Sequence, residues 1–97
     1  MIKRSRLEIY LDILRVIKSG VQKPTRIMYS TNLSWNPLQE ILTSLITQNL
    51  IIVKDDGNRK SYEITEKGRT ALKYFNQAKK LVTVGDVRAK GAIVYPL

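Results

Sequence analysis

Three features of this chain predict a mainly α-helical fold with one small β-hairpin, an α+β arrangement. Apolar residues recur at helical spacing in four stretches separated by turn residues. Only two short internal runs are β-like, Leu50-Ile51-Ile52-Val53 and Lys60-Ser61-Tyr62-Glu63-Ile64, and an Asp-Gly turn lies between them. The length, 97 residues, suits one domain with a modest core that a second copy would usefully enlarge. The expected order is three helices, the hairpin and a fourth helix over residues 1–81, followed by a tail over 82–97.

The first helix starts near Arg6, because Ser5-Arg6-Leu7-Glu8 has the Ser-x-x-Glu form of a capping box. Ile9, Ile13, Val16 and Ile17, flanked by Tyr10 and Leu14, give it a wide buried face, and Ser19-Gly20 ends it. After the short link Val21-Gln22-Lys23, Pro24 or Thr25 opens a second helix that runs to Tyr29 or Ser30. There Ile27 and Met28 face the core, while Lys23 and Arg26 point outward. Thr31-Asn32-Leu33 is the turn, since Asn tolerates the left-handed conformation.

The third helix carries Leu38, Ile41, Leu42, Leu45 and Ile46 on one face and Gln39, Glu40, Thr43, Ser44 and Thr47 on the other. It runs from Trp35 to about Gln48-Asn49. Ser34 occupies the N-cap position, where its hydroxyl is expected to accept from the first free amides. Pro37 falls at N3, where the missing N–H removes no intrahelical bond. One face anchors this helix, and the other, with a single charge, is free to enter a groove.

The hairpin turns at Asp55-Asp56-Gly57-Asn58, with Arg59 and Lys60 just past its tip and Lys54 at its base. A helix-turn-helix followed at once by a hairpin is the order of a winged helix-turn-helix, with the hairpin as wing. Thr65 caps the fourth helix, Glu66 to about Leu81. Gly68 is a poor helix residue by propensity, so close packing against the hairpin or the first helix explains it. The stripe Leu72, Phe75, Ala78 and Leu81 extends beyond what the first helix covers and is the expected dimer seam, with packing back onto the first helix as the alternative for its first two turns. The tail contains Gly85 and Gly91 and two β-like runs, and reads as an added strand, as disordered chain or as a segment that pairs with a partner chain.

Net charge is +9, from 17 Lys and Arg against 8 Asp and Glu. A balance this basic favours a polyanion partner. Residues 31–53 carry only Glu40, so the cations surround the third helix rather than sit on it. That arrangement suits flanks that grip phosphates while a polar face meets base edges. There is no Cys and no His, no Gly-rich phosphate loop and no carboxylate cluster, so neither an enzyme nor a metal or cofactor is expected. No apolar run approaches membrane-spanning length, and a soluble, cytoplasmic, nucleoid-associated protein is expected.

The run Tyr62-Glu63-Ile64-Thr65-Glu66-Lys67-Gly68 resembles the hairpin strand, Thr-Glu-Lys-Gly and long helix of small archaeal winged helix-turn-helix DNA-binding proteins. Arg6 to Ile17, and Arg26-Ile27-Met28-Tyr29 through Leu33-Ser34, resemble that group's first helices; the likeness covers about residues 4–81. The group includes transcriptional regulators and the dimeric chromatin proteins of Sulfolobus. The last helix here is shorter than the coiled coil of the chromatin-type members. The resemblance implies double-stranded DNA as partner, a recognition helix in the major groove and pairing through the last helix. By position it implicates Ser34, Trp35, Asn36, Gln39, Glu40 and Thr43 on the recognition helix, and Arg59 and Lys60 on the wing.

From the residues themselves, Lys3 and Arg4 of the N-terminal arm, Lys23 of the link and Arg26 of the second helix join the wing as phosphate contacts. Three functions fit: a homodimeric transcriptional regulator, a sequence-tolerant architectural chromatin protein, and a winged helix that binds protein and never touches DNA.

Overall fold

The computed structural model describes residues 4–82. Its elements are α1 (Arg6–Lys18), α2 (Pro24–Thr31), α3 (Trp35–Thr47), β1 (Ile51–Asp55), β2 (Lys60–Ile64) and α4 (Glu66–Leu81). This is the expected order. The expectations for residues 83–97, and for Lys3, lie outside the described residues.

Local chemistry sets each boundary. The capping box closes as predicted: Glu8 N–H donates to Ser5 Oγ at 3.1 Å, and Ser5 N–H donates to Glu8 Oε1 at 2.9 Å. The first three helices end on a residue with positive φ, namely Gly20, Asn32 and Asn49. At each end the next amide donates back to a carbonyl of the last turn: Val21 to Val16, Leu33 to Met28 and Leu50 to Leu45. The helix-turn-helix bend is thus a helix stop whose left-handed residue, Asn32, has φ 58 and ψ 42.

The two strands pair antiparallel with Ile51 opposite Ile64, Val53 opposite Tyr62 and Asp55 opposite Lys60. β1 begins one residue later than the sequence suggests and runs on to Asp55, because its polar end still finds a partner in β2. The link before α2 is more than a connector. Gln22 O accepts from Tyr62 N–H at 3.0 Å, which ties it to the outer edge of β2.

The core is drawn from every element. Leu11, Ile13, Leu14 and Ile17 of α1 meet Ile27 of α2, four residues of α3 (Leu38, Ile41, Leu42, Leu45), Ile51, Tyr62 and Ile64 of the hairpin, and Leu72 of α4. Each such side chain contributes about 1.5–3 kcal/mol when fully buried. Thr31 is also buried, and its hydroxyl donates to Ile27 O at 2.7 Å.

Gly68 sits where the hairpin crosses α4. A Cβ there would run into the Leu50 carbonyl and lie 2.7 Å from Ile64 Cγ1. The hairpin is therefore the neighbour that excludes a side chain. No helix among the described residues is long and apolar enough to cross a membrane.

Candidate nucleic-acid interface

The outward face of α3 is built by the same periodicity that builds its core face. Leu38, Ile41, Leu42 and Leu45 are buried. On the opposite side Asn36, Glu40, Thr43 and Thr47 are exposed and Gln39 is half-buried. Thr47 turns its hydroxyl back onto Thr43 O at 3.0 Å. The carboxamides of Asn36 and Gln39 make no hydrogen bond among the described residues, so their donors and acceptors stay available.

Ser34 stands at the N-cap of α3 with extended geometry, φ −83 and ψ 169, but its side chain makes no cap bond. Here the sequence expectation needs correction, and Pro37 contributes to it by removing one of the two amides that could reach the hydroxyl, leaving Asn36 N–H alone. An N-cap oxygen accepts from the N2 or N3 amide, and proline at N3 has no N–H. By contrast, Thr65 at the start of α4 accepts from Gly68 N–H at N3, at 3.0 Å. The hydroxyl of Ser34 and the indole of Trp35, 45% exposed, therefore stand open at the front of α3.

Arg59 and Lys60 lie on the hairpin just past its turn and are exposed, with no ion pair among the described residues. Asp56 Oδ1 accepts from the backbone N–H of Arg59 at 2.9 Å and of Asn58 at 3.1 Å, which fixes the turn. Those two amides hold the Asp56 carboxyl below its ordinary value. Lys54 at the base is paired with Glu63 across the sheet at 3.1 Å. Lys23 and Arg26 stand exposed at the front of α2.

The arm departs from expectation. Arg4 reaches Asp12 Oδ2 at 2.9 Å and the Thr31 carbonyl at 2.8 Å, while Arg15 holds the other Asp12 oxygen at 2.9 Å. Arg4 thus fastens the arm to α1 and to the end of α2 and is not a free phosphate contact. Arg6 lies over the Tyr10 ring, 5.9 Å from its centroid.

The expected seam on α4 also changes. Leu72 is 2% exposed and belongs to the chain's own core, because α4 lies on α1 over its first turns. Phe75, Ala78 and Leu81 remain exposed, Leu81 at 86%. Phe75, Ala78 and Val82 line one wall of a groove against Leu7 and Leu11 of α1. The sequence reading missed Tyr29, 79% exposed on α2. Its i+3 spacing from Arg26 on the outer face was the available signal.

A helix-turn-helix whose second helix turns a polar face outward, followed by a hairpin with Arg59 and Lys60 just past its turn, defines a winged helix-turn-helix domain. The chain belongs to the winged helix-turn-helix family, whose model matches residues 3–83. An uncharacterized protein of Methanocaldococcus jannaschii is 39% identical over 67 residues, or 69% of this chain. The match spans 65% of that relative's length, less than two thirds of it. Among solved structures the chain is similar to Sso10a-2, a DNA-binding protein from Sulfolobus solfataricus. The TM-score is 0.70 at 27% identity, with 96% of this chain and 100% of that one covered. It shares its fold with a winged-helix DNA-binding protein from STIV, at TM-score 0.66 and 20% identity, covering 84% of this chain and 98% of that one. The resemblance to small archaeal winged-helix proteins read from the sequence therefore holds.

Proposed function

We propose that the chain binds double-stranded DNA as a homodimer and regulates transcription, with α3 in the major groove and the hairpin along the phosphate backbone. The observation that carries this reading is the outer face of α3. It presents unspent carboxamides and hydroxyls, and the neighbouring elements carry exposed cations, Lys23 and Arg26 at the start of α2 and Arg59 and Lys60 past the hairpin turn. Phosphate contacts supply affinity and register, and base edges supply choice. The name of Sso10a-2 as a DNA-binding protein, over a chain of matching extent, supports the partner. Pairing rests on Phe75, Ala78 and Leu81, apolar residues that nothing in the described chain covers fully.

A salt titration on the full chain tests the wing. Arg59→Ala with Lys60→Ala leaves thermal stability unchanged, because the turn adds little to the core. It flattens the log–log salt slope by about 0.9 for each phosphate that the variant no longer neutralises. An unchanged slope removes the wing from the interface.

A second reading has one observation of its own. α3 carries neither Lys nor Arg, the side chains that make the commonest specific base contacts, and a sequence-tolerant architectural protein needs none. Footprinting separates the two: a bounded protected site supports the regulator, and uniform protection supports the architectural protein. A protein-binding domain would show no salt-dependent affinity for any duplex.

A further inference from the structure

We infer that the duplex this chain reads is rich in A·T pairs, with Asn36 and Gln39 as adenine readers and Trp35 as a thymine-methyl contact. This rests on the proposed placement of α3 in the major groove.

Trp35–Thr47 holds no Lys or Arg, so the bidentate contact to guanine O6 and N7 has no donor on this helix. It offers two carboxamides instead, three residues apart on the exposed side. A carboxamide accepts from adenine N6–H with its oxygen and donates to adenine N7 with its amide nitrogen, a match that guanine's two adjacent acceptors break. Asn36 is exposed and Gln39 half-buried, and neither spends its amide within the described residues.

Trp35 adds a second, chemically different preference. It is the first residue of α3 and is 45% exposed. Thymine is the base that presents a methyl group in the major groove, and an apolar side chain gains by covering it. Glu40, one turn on from Asn36, is the only charge on the helix. Its carboxylate accepts from an adenine or cytosine amino group and repels the two acceptors of guanine, so G on the strand it faces is disfavoured.

The experiment measures affinity of the full chain, at one salt concentration, for four duplexes of equal length. These are mixed A·T, mixed G·C, mixed I·C, and the A·T duplex with deoxyuridine in place of thymidine. Inosine keeps guanine's major-groove edge and lacks only its minor-groove amino group; deoxyuridine lacks only the methyl. The expected result is A·T tighter than G·C by about tenfold or more, with I·C as weak as G·C. Deoxyuridine weakens wild type by a few-fold. It leaves Trp35→Ala unaffected but still weakens Trp35→Leu, which keeps an apolar surface at the same place. Gln39→Ala lowers affinity for A·T and leaves G·C unchanged. Folding of each variant is checked by circular dichroism.

Equal, salt-dependent affinity for A·T and G·C overturns the inference and leaves the proposed function standing. I·C bound as tightly as A·T also overturns it, by moving the preference to the minor groove. Absence of salt-dependent binding to every duplex defeats the proposed function itself, and the inference with it.

Discussion

α3 and α4 carry the same kind of apolar periodicity and meet different fates. In α3 the residues Leu38, Ile41, Leu42 and Leu45 are all buried. In α4 the buried residues are Gly68 and Leu72, and from Phe75 onward the stripe lies open, ending at Leu81 with 86% exposure. The apolar face of α3 lies wholly in the shared core, whereas α4 outruns both α1 and the hairpin on which it lies. Periodicity shows that a helix has an apolar face; the reach of its neighbours decides whether the same chain covers it. Where that reach ends, the apolar stripe stays exposed.

The sharpest break of this comparison is a matched truncation. Leu42→Ala is expected to cost about 2–5 kcal/mol in chemical denaturation. Leu81→Ala is expected to change the fold's own stability by about 0.5 kcal/mol or less. Equal costs at a concentration where the chain is monomeric would mean that α4 is covered within the single chain after all.

Gly68 comes next, as the point where α4 is pressed hardest. Alanine favours helix over glycine by about 1 kcal/mol, yet its methyl would meet the Leu50 carbonyl and Ile64. Gly68→Ala is expected to destabilise by about 1–3 kcal/mol, as overpacking does. A rise in melting temperature would show that the crossing relaxes.

Phe75→Glu tests the open end. Phe75 is 38% exposed, so the single fold loses about 1 kcal/mol, as an ordinary substitution does. Sedimentation is expected to show a dimer for wild type and a monomer for the variant, because a charge in an apolar seam loses hydration and packing together. A wild-type monomer, or a variant that pairs at full strength, would move the seam elsewhere.

The smallest effect concerns a helix start. Two hydrogen bonds to Ser5, the backbone one first, hold the Glu8 carboxyl below its ordinary value. A carboxyl lowered in the folded state contributes stability above its unfolded value and loses it as pH falls through the folded value. Melting temperature is expected to fall on acidification below the ordinary carboxylate range, and less steeply in Glu8→Gln, which keeps an acceptor and loses the titration. Parallel curves would remove Glu8 from the acid response.

What could be read in the sequence follows from the range of each interaction. Ser5 with Glu8, Thr65 with Gly68, and the turn at Asp55–Asn58 are local, and each formed as its residue types dictate. Ser34 makes no cap bond, and two local rules meet at that site, since the proline at N3 removes one of the two amides a cap could use. Arg4 looked like a free cation because its partners, Asp12 and the Thr31 carbonyl, are brought to it by folding. Leu72 was assigned to a seam because no pattern in α4 alone marks where α1 stops covering it. The bond from Tyr62 N–H to Gln22 O left no trace at all, since backbone pairing carries no side-chain signature. At the candidate interface, the polar stripe of α3 and the wing cations were legible as composition, whereas their freedom from other partners required coordinates.

The junction below α3 has a mechanical consequence. Thr65 Oγ1 donates to Asn49 O at 2.7 Å, Lys67 Nζ donates to Gln48 O at 2.8 Å, and Gly68 lets the Leu50 carbonyl close against α4. The exit of one helix and the entry of the other are thus riveted at a single point. With the junction held, a tilt of α4 would swing α3 with it, as one arm of a bell crank drives the other. In a two-fold pair joined at the far ends of α4, the distance between the two reading heads would be set by the angle at which those ends cross. Half-site spacing would then be tuned by residues that never approach a base.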